Sequence, residues 1–478
     1  MVKTISLAPL DYGIIALFVA GILALGFSAR IRESSVFQFI AAGRRLTLPV
    51  FVATLVSTWY GGILGISESV SYYGLGTWLL LGVPYYVFAL LYAFFFARRV
   101  RGAEEISIPE RLHARFGKAA GMLGAGLIFM LAVPAAHVLM LGILTRALTG
   151  WDWPISLGLG ALVGCLFLYR GGLLADARVS MLAFVMMYVG FGAIVVYCLS
   201  TVPPAEVIAK AQPAQTTLTG GQGPLFILSF FLLGAWTLVD PGFHQRVASA
   251  ESETASKKGV LISVVFWALF DILSITAAMY ALHLLPPIGD NATSLDRLAI
   301  YPNFADQVLP AGLKAIFLCG IFGTVLSAMV GYTLVSGATF GRELVGRART
   351  DLSESQMMGW CRVGLFVAAA LAIVLAATME SVVALWYSWA GAVIGALLLP
   401  VCIAYGILRS KAAQSSIALS IAIAFAVTLS WMVYGVTSGN PYLEVTWLGE
   451  KFSLGTLIPG VVVSSLIIGA GGIMRRTR

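Results

Sequence analysis

The sequence predicts an all-α polytopic membrane protein of about thirteen transmembrane helices, and three observations carry that prediction. Hydrophobic residues make up 59% of the 478 and charged residues 11%, with a mean hydropathy of +0.92, whereas a soluble domain is roughly 25% charged. Apolar segments near membrane-spanning length follow one another with only short polar joins. Two of them, Ala53 to Gly76 and Phe226 to Arg246, are interrupted by glycine and carry acids. Lipid tolerates such breaks only where the backbone lines a cavity.

The first apolar segment, Tyr12 to Ala29, has the length of a signal-peptide core, but only Lys3 precedes it and positive charge follows it. It therefore reads as a retained helix. The others run at 46–74, 77–97, 119–147, 154–170, 179–202, 224–245, 259–285, 309–340, 358–379, 381–408, 414–437 and 453–474. No hydrophilic stretch between them is long enough for a separate soluble domain, so residues 1–478 read as one transmembrane domain.

The net charge of +8 falls in short clusters between spans, which fits membrane orientation and not nucleic-acid binding. Arg30, Arg32, Arg44 and Arg45 follow the first span. Arg98, Arg99, Arg101, Arg111, Arg115 and Lys118 follow the third, and Arg342, Arg347 and Arg349 the ninth. With an odd span count, Arg409, Lys411, Arg475, Arg476 and Arg478 share that side. Only Lys3, Arg146, Lys210, Arg297, Lys314 and Lys451 are left opposite. The expected topology places the amino terminus outside and the carboxyl terminus in the cytoplasm of a cytoplasmic (inner) membrane.

Cys165, Cys198, Cys319, Cys361 and Cys402 lie in or at the ends of apolar spans with no CxxC spacing, so neither a disulfide framework nor a zinc site is implied. The four histidines lack metal-ligand spacing and read as structural. No HExxH or GxSxG motif is present, so an enzyme is not expected. The loop 286–308 concentrates Pro, Asp and Asn and is expected to carry a short helix or gate at the outer face. Arg246 is expected to anchor a helix end at the cytoplasmic surface.

The interrupted segments are the second and seventh spans. Two broken spans in matching places of two halves point to the midplane site of a secondary transporter. A membrane-embedded solute sensor is an alternative, as is an ion channel.

Several stretches resemble the sodium:solute symporter family. FQFIAAGRRLTLP (37–49) is similar to the family's approach to its first core helix. TWYGGILGISESVSYYGLG (58–76), with Trp59, paired glycines and Gly-x-x-Glu, is most similar to its choline-transporter branch. ISIPERLHARFG (106–117), GGLLADARVSMLAF (171–184), HQRVASAESETASKKG (244–259) and SAMVGYTLVSGATFGREL (327–344) follow in the family's order. The resemblance implies a leucine-transporter-like fold: a 5+5 inverted-repeat core with one helix before it and two after. The corresponding boundaries are 1–36, 37–202, 203–408 and 409–478.

The resemblance also implies sodium as coupling ion, held between the first and eighth core helices. Its ligands would be the backbone oxygens of Ser57, Tyr60 and Thr324 and the side chains at 327 and 328. Ser327 fits, but Ala328 brings no hydroxyl where most sodium-coupled members have one; Thr324 and Thr333 are the nearby hydroxyls that could compensate. Where the family commonly has Thr-Asp, this chain has Val179 and Ser180, with Asp176 and Arg178 nearby, so a second sodium is not expected. Proton-coupled and uncoupled transport are therefore alternatives, with Glu68, Asp240 and Asp271 as candidate proton sites.

A small polar organic solute is expected where the interrupted segments meet, lined by Trp59, Gly61, Gly62, Leu64 and Glu68 from one and Trp236, Thr237 and Asp240 from the other. Trp386 and Tyr387, in the tenth core helix, are gate candidates. Glycine amides suit a carboxylate, while aromatic rings beside an acid suit a quaternary ammonium, which Trp59 and Glu68 favour. Trp59 and Leu64 replace polar positions of the sugar branch, and Gly61 replaces an acid of the proline branch.

Overall fold

The computed structural model describes residues 4–30, 35–289, 291–378, 381–440, 443–447 and 449–474. Lys3, Arg32, Arg475, Arg476 and Arg478, which enter the topology argument, lie outside these. Among the described residues, twelve helices are long and apolar enough to cross a membrane. In chain order they are α1 (Pro9–Ser28), α2 (Leu48–Tyr73), α3 (Trp78–Gly102), α4 (Ile108–Thr149), α5 (Trp153–Thr201) and α6 (Pro224–Ser249). There follow α7 (Glu253–Leu284), α8 (Leu313–Ala348), α9 (Glu354–Thr378), α10 (Trp386–Ala404), α11 (Gln414–Thr437) and α12 (Leu457–Met474).

One of the twelve is long enough to cross twice. The 49 residues of α5 would reach about 73 Å, more than twice the ~30 Å of a hydrocarbon core. Gly172 breaks α5 with φ +50° and ψ −138°, and a Cβ there would run into the carbonyl oxygen of Phe39, so only glycine fits. Counting both limbs gives the thirteen crossings expected from the apolar segments. The first core helix is then α2, and the sixth to tenth are α6 to α10.

The two interrupted spans break by different means. In α2 the ladder tightens into a single 3-10 turn at Tyr60–Gly62 and resumes at Ile63. In α6 a 3-10 stretch at Gly234–Leu238 runs into Val239 (φ −129°, ψ 6°) and an extended Asp240 (ψ 119°). Asp240 then caps the resumed helix, accepting from the Phe243 N–H at 2.6 Å, with Pro241 at its first position, where a missing N–H costs nothing.

Helix α8 lies deepest: nearly every residue from Lys314 to Ala338 is buried. By contrast α1, α7 and α12 expose Leu17, Val265 and Leu466, the apolar outer faces of a lipid-embedded bundle. All five cysteines are free and buried.

At the basic end of the bundle, the start of α2 is strapped to the end of α6, with Leu46 N bonded to Ser249 O at 3.1 Å and Glu251 N to Leu46 O at 2.9 Å. Arg101 donates to the Ala250 carbonyl. Arg342 pairs with Glu110 at 2.5 Å, and Glu343 accepts from Ser107 at 2.9 Å and from Arg347 at 2.6 Å. At the opposite end, the loop 286–308 carries two short helices, Ser294–Leu298 and Ile300–Val308. A hairpin, β1 (Glu444–Trp447) paired with β2 (Glu450–Ser453), joins α11 to α12; the apolar pattern gave no sign of it.

Candidate functional site

A cavity of about 840 Å³ lies beside the two interruptions. It follows α2 from Thr58 to Tyr72, about four helical turns, and reaches Ser294 in the loop and Ser381 ahead of α10. Trp59, Tyr60, Gly62 and Glu68 line it from α2 and Trp236 from α6, with Tyr85, Tyr86, His137, Asp271, Tyr332 and Trp386 around them. No lysine or arginine is among the described residues that line it.

The rings are held by one another. Trp59 packs against Trp267 at 5.0 Å and Tyr85 at 4.9 Å between centroids. Trp386 sits directly on Gly62, where a Cβ would collide with the indole. The Asp271 carboxylate accepts from the Tyr86 hydroxyl. Glu68 is 1% exposed and accepts from Ser381 Oγ at 2.7 Å and Val383 N at 3.4 Å, tying α2 to the start of the tenth core helix.

Gly61, Leu64, Thr237, Asp240 and Tyr387 are not among the lining residues. Gly61 presses on α8, Leu64 is in the core, and Thr237 is buried. Tyr387 packs on Phe230 at 4.9 Å. Asp240 stands one layer back, accepting from Trp236 Nε1 at 3.0 Å and the Tyr332 hydroxyl at 2.7 Å, so it positions two rings of the wall.

The residues proposed as ion ligands meet where α2 crosses α8. Ser57 Oγ lies 3.0 Å from Ser327 Oγ, which lies 2.8 Å from Ser180 Oγ on α5. Thr324 Oγ1 donates to Ile321 O at 2.8 Å and Thr333 Oγ1 to Met329 O at 2.6 Å, so both hydroxyls have partners within α8. A Cβ on Gly61 would collide with that of Ala328. The methyl that replaces a hydroxyl is thus also what the glycine packs against. Among the described residues no cluster of three or more His, Cys, Asp or Glu could hold a metal ion.

Two further expectations change. Arg246 is not at a surface: it is fully buried and donates to Asp176 Oδ2 at 2.8 Å, Thr58 Oγ1 at 2.7 Å and Gly242 O at 3.2 Å. An arginine inside an apolar bundle needs an acid, and Asp176 supplies it. His137, expected only to pack, lines the cavity and stacks on Tyr332 at 5.3 Å with 23° between planes. A lone histidine in an apolar run carries no signal of this in the sequence.

This architecture, broken helices around a central cavity in a thirteen-crossing bundle, is the leucine-transporter-like class. Residues 39–424 match the sodium:solute symporter family. The chain belongs to that family.

The human protein "High affinity choline transporter 1" is 26% identical over 385 residues, covering 73% of this chain and 63% of its own. The chain thus matches just under two thirds of that relative's length. "Sodium/proline symporter" of Haemophilus influenzae is 23% identical over 78% of this chain and 79% of its own. Among solved structures, the substrate-bound outward-open state of a Na+-coupled sialic acid symporter superposes with a TM-score of 0.77 at 15% identity, covering 98% of both chains. Mhp1, a nucleobase-cation-symport-1 family transporter in a closed conformation with bromovinylhydantoin bound, gives 0.56 at 12% identity over 92% of this chain and 95% of that one.

Proposed function

We propose that the protein is a secondary active transporter that imports a small polar organic solute across the cytoplasmic membrane, driven by one sodium ion bound between α2 and α8. The observation that carries this reading is the cavity at the two interruptions. It is built from aromatic rings with Glu68 and Asp271, and no lysine or arginine is among the described residues that line it. Such a surface favours an organic cation: ring faces attract a quaternary ammonium, and the acids balance its charge. The choline-transporter relatives support the same substrate class.

In this reading the sodium ligands are the backbone oxygens of Ser57, Tyr60 and Thr324 and the Ser327 hydroxyl, with Ala328 contributing no side-chain oxygen. The core is two inverted repeats, 37–202 and 203–408. The basic end faces the cytoplasm, with the amino terminus outside and the carboxyl terminus inside. Trp386 is a gate over Gly62.

The test is uptake of choline, betaine, proline and sialic acid into proteoliposomes under imposed sodium and proton gradients, after a thermal-shift panel has ranked these solutes. Sodium-driven accumulation of a quaternary ammonium is expected; accumulation blind to sodium overturns the coupling. A proton-coupled carrier is the second reading, favoured by the Ala328 methyl in the ion site and by the buried carboxylates of Glu68 and Asp271.

A further inference from the structure

Six side chains and one peptide link close a ring around the crossing of α2 and α8. Ser57 Oγ meets Ser327 Oγ at 3.0 Å, Ser327 Oγ meets Ser180 Oγ at 2.8 Å, and Ser180 Oγ donates to Asp176 Oδ1 at 3.3 Å. From the other carboxylate oxygen the ring returns through Arg246 Nη2 at 2.8 Å to Thr58 Oγ1 at 2.7 Å, and Thr58 is the neighbour of Ser57. Every member is buried, Asp176 and Arg246 completely.

The carboxylate fixes the direction of the protons. An ionised acid only accepts, so Ser180 spends its single proton on Asp176. Ser180 can then only accept from Ser327, and Ser327 in turn presents a lone pair toward Ser57. The Ser180 and Ser327 dipoles therefore turn their oxygens toward the α2–α8 crossing, and Ser57 is the donor to Ser327. Such chains polarise one another at low dielectric. Groups one layer behind a metal ligand orient it and raise its basicity.

We propose that Asp176 and Arg246 are positioning residues for the coupling ion: Asp176 orients Ser327 through Ser180, while Arg246 holds the facing stretch of α2 through Thr58. This rests on the sodium reading above. Arg246 also neutralises Asp176, so the acid strengthens a ligand without offering a second cation a free charge. The one missing hydroxyl at Ala328 is offset by a more basic oxygen at Ser327.

The test is equilibrium binding of radiolabelled sodium to the full-length protein in nanodiscs. Ser180→Ala cuts the relay and leaves the ion pair intact. It is expected to weaken sodium binding by about ten-fold, with an unchanged unfolding temperature in sodium-free buffer, and Ser180→Thr is expected to stay within about two-fold of the parent. The paired change Asp176→Leu with Arg246→Met removes both charges, avoids leaving one unpaired, and is expected to weaken sodium binding at least as much.

If the parent binds sodium and both Ser180→Ala and the pair bind it equally well, the positioning role is overturned and the sodium reading survives. If Ser180→Ala loses thermal stability with unchanged sodium affinity, the ring is structural only and the role is again overturned. If the parent shows no saturable sodium binding, both readings fall.

Discussion

The tightest geometric constraint in the candidate site is the contact between Gly61 and Ala328, and Gly61→Ala tests it. A methyl at residue 61 collides with the Ala328 methyl and also meets Cδ2 of His137 at 2.9 Å. Two packed helices cannot both keep their places, and such overpacking costs about 1–3 kcal/mol. In the proposed sodium site, separating α2 from α8 also draws the Tyr60 carbonyl away from Ser327, and losing a ligand worth about 1 kcal/mol would weaken sodium about five-fold. Ala328→Gly removes the obstructing methyl, at about 0.5–1 kcal/mol for a helical glycine. The double variant should therefore recover most of both losses, with a coupling of at least about 1 kcal/mol. Thermal unfolding and radiolabelled sodium binding read the four corners of the cycle. Additive effects, or a Gly61→Ala protein as stable as its parent, would mean that α2 does not bear on α8 as described.

Glu68→Gln keeps an acceptor for Ser381 and removes the charge at the cavity wall. Binding of choline, followed by quenching of tryptophan fluorescence, should weaken by about ten-fold, in line with about 1.5 kcal/mol or more for an interaction with a charged group, while betaine, which carries its own carboxylate, loses less. Equal losses for the two would argue against charge selection. Asp240→Asn keeps the capping oxygen but puts an amide NH2 where Trp236 and Tyr332 both need an acceptor, so a stability loss of about 1–3 kcal/mol should appear as a lower unfolding temperature, and an unchanged one would contradict the assignment. Arg342→Ala removes the pairing with Glu110. Both side chains are partly exposed, so the cost is at most about 1 kcal/mol. Its expected signature is faster labelling of a cysteine introduced at Ala250 from the basic end, and labelling at the parent rate would show that this pair does not help close that end.

The number and order of the spans were legible because hydropathy is local: a span must be apolar over its own length whatever surrounds it. The resumption of α6 was legible for a similar reason. Asp-Pro is a helix-start pair, an acid at the cap and proline at the first position, and Asp240 caps that start at 2.6 Å. The depth of the break in α2 was not, because paired glycines permit an unwound segment without requiring one. Here close packing of Gly61 on Ala328 and Gly62 on Trp386 keeps the turn wound as a 3-10 turn. Which lining residues the cavity gathers depends on pairings across the bundle: Tyr86, His137 and Tyr332 come from α3, α4 and α8, and nothing in their own segments marks them.

The ion pair is the instructive case, because part of the reasoning that would have found it needs only helix geometry. Asp176 and Arg178 are two residues apart, and side chains at that spacing point to different faces of a helix, so they cannot satisfy each other. Arg178 instead donates to Ser28 Oγ at 2.7 Å on an exposed face. An acid left without its nearest base, in a segment with apolar neighbours on both sides, must find a cation elsewhere or carry a prohibitive desolvation cost. Arg246 has polar neighbours in His244 and Gln245 and reads in the sequence as a surface anchor, so only its burial in the fold places the same demand on it from the other side. The sequence left Asp176 in the join between two apolar segments and Arg246 at an expected surface, so their pairing rests on burial that only the fold supplies, as does the chain of three serines that connects the pair to the α2–α8 crossing.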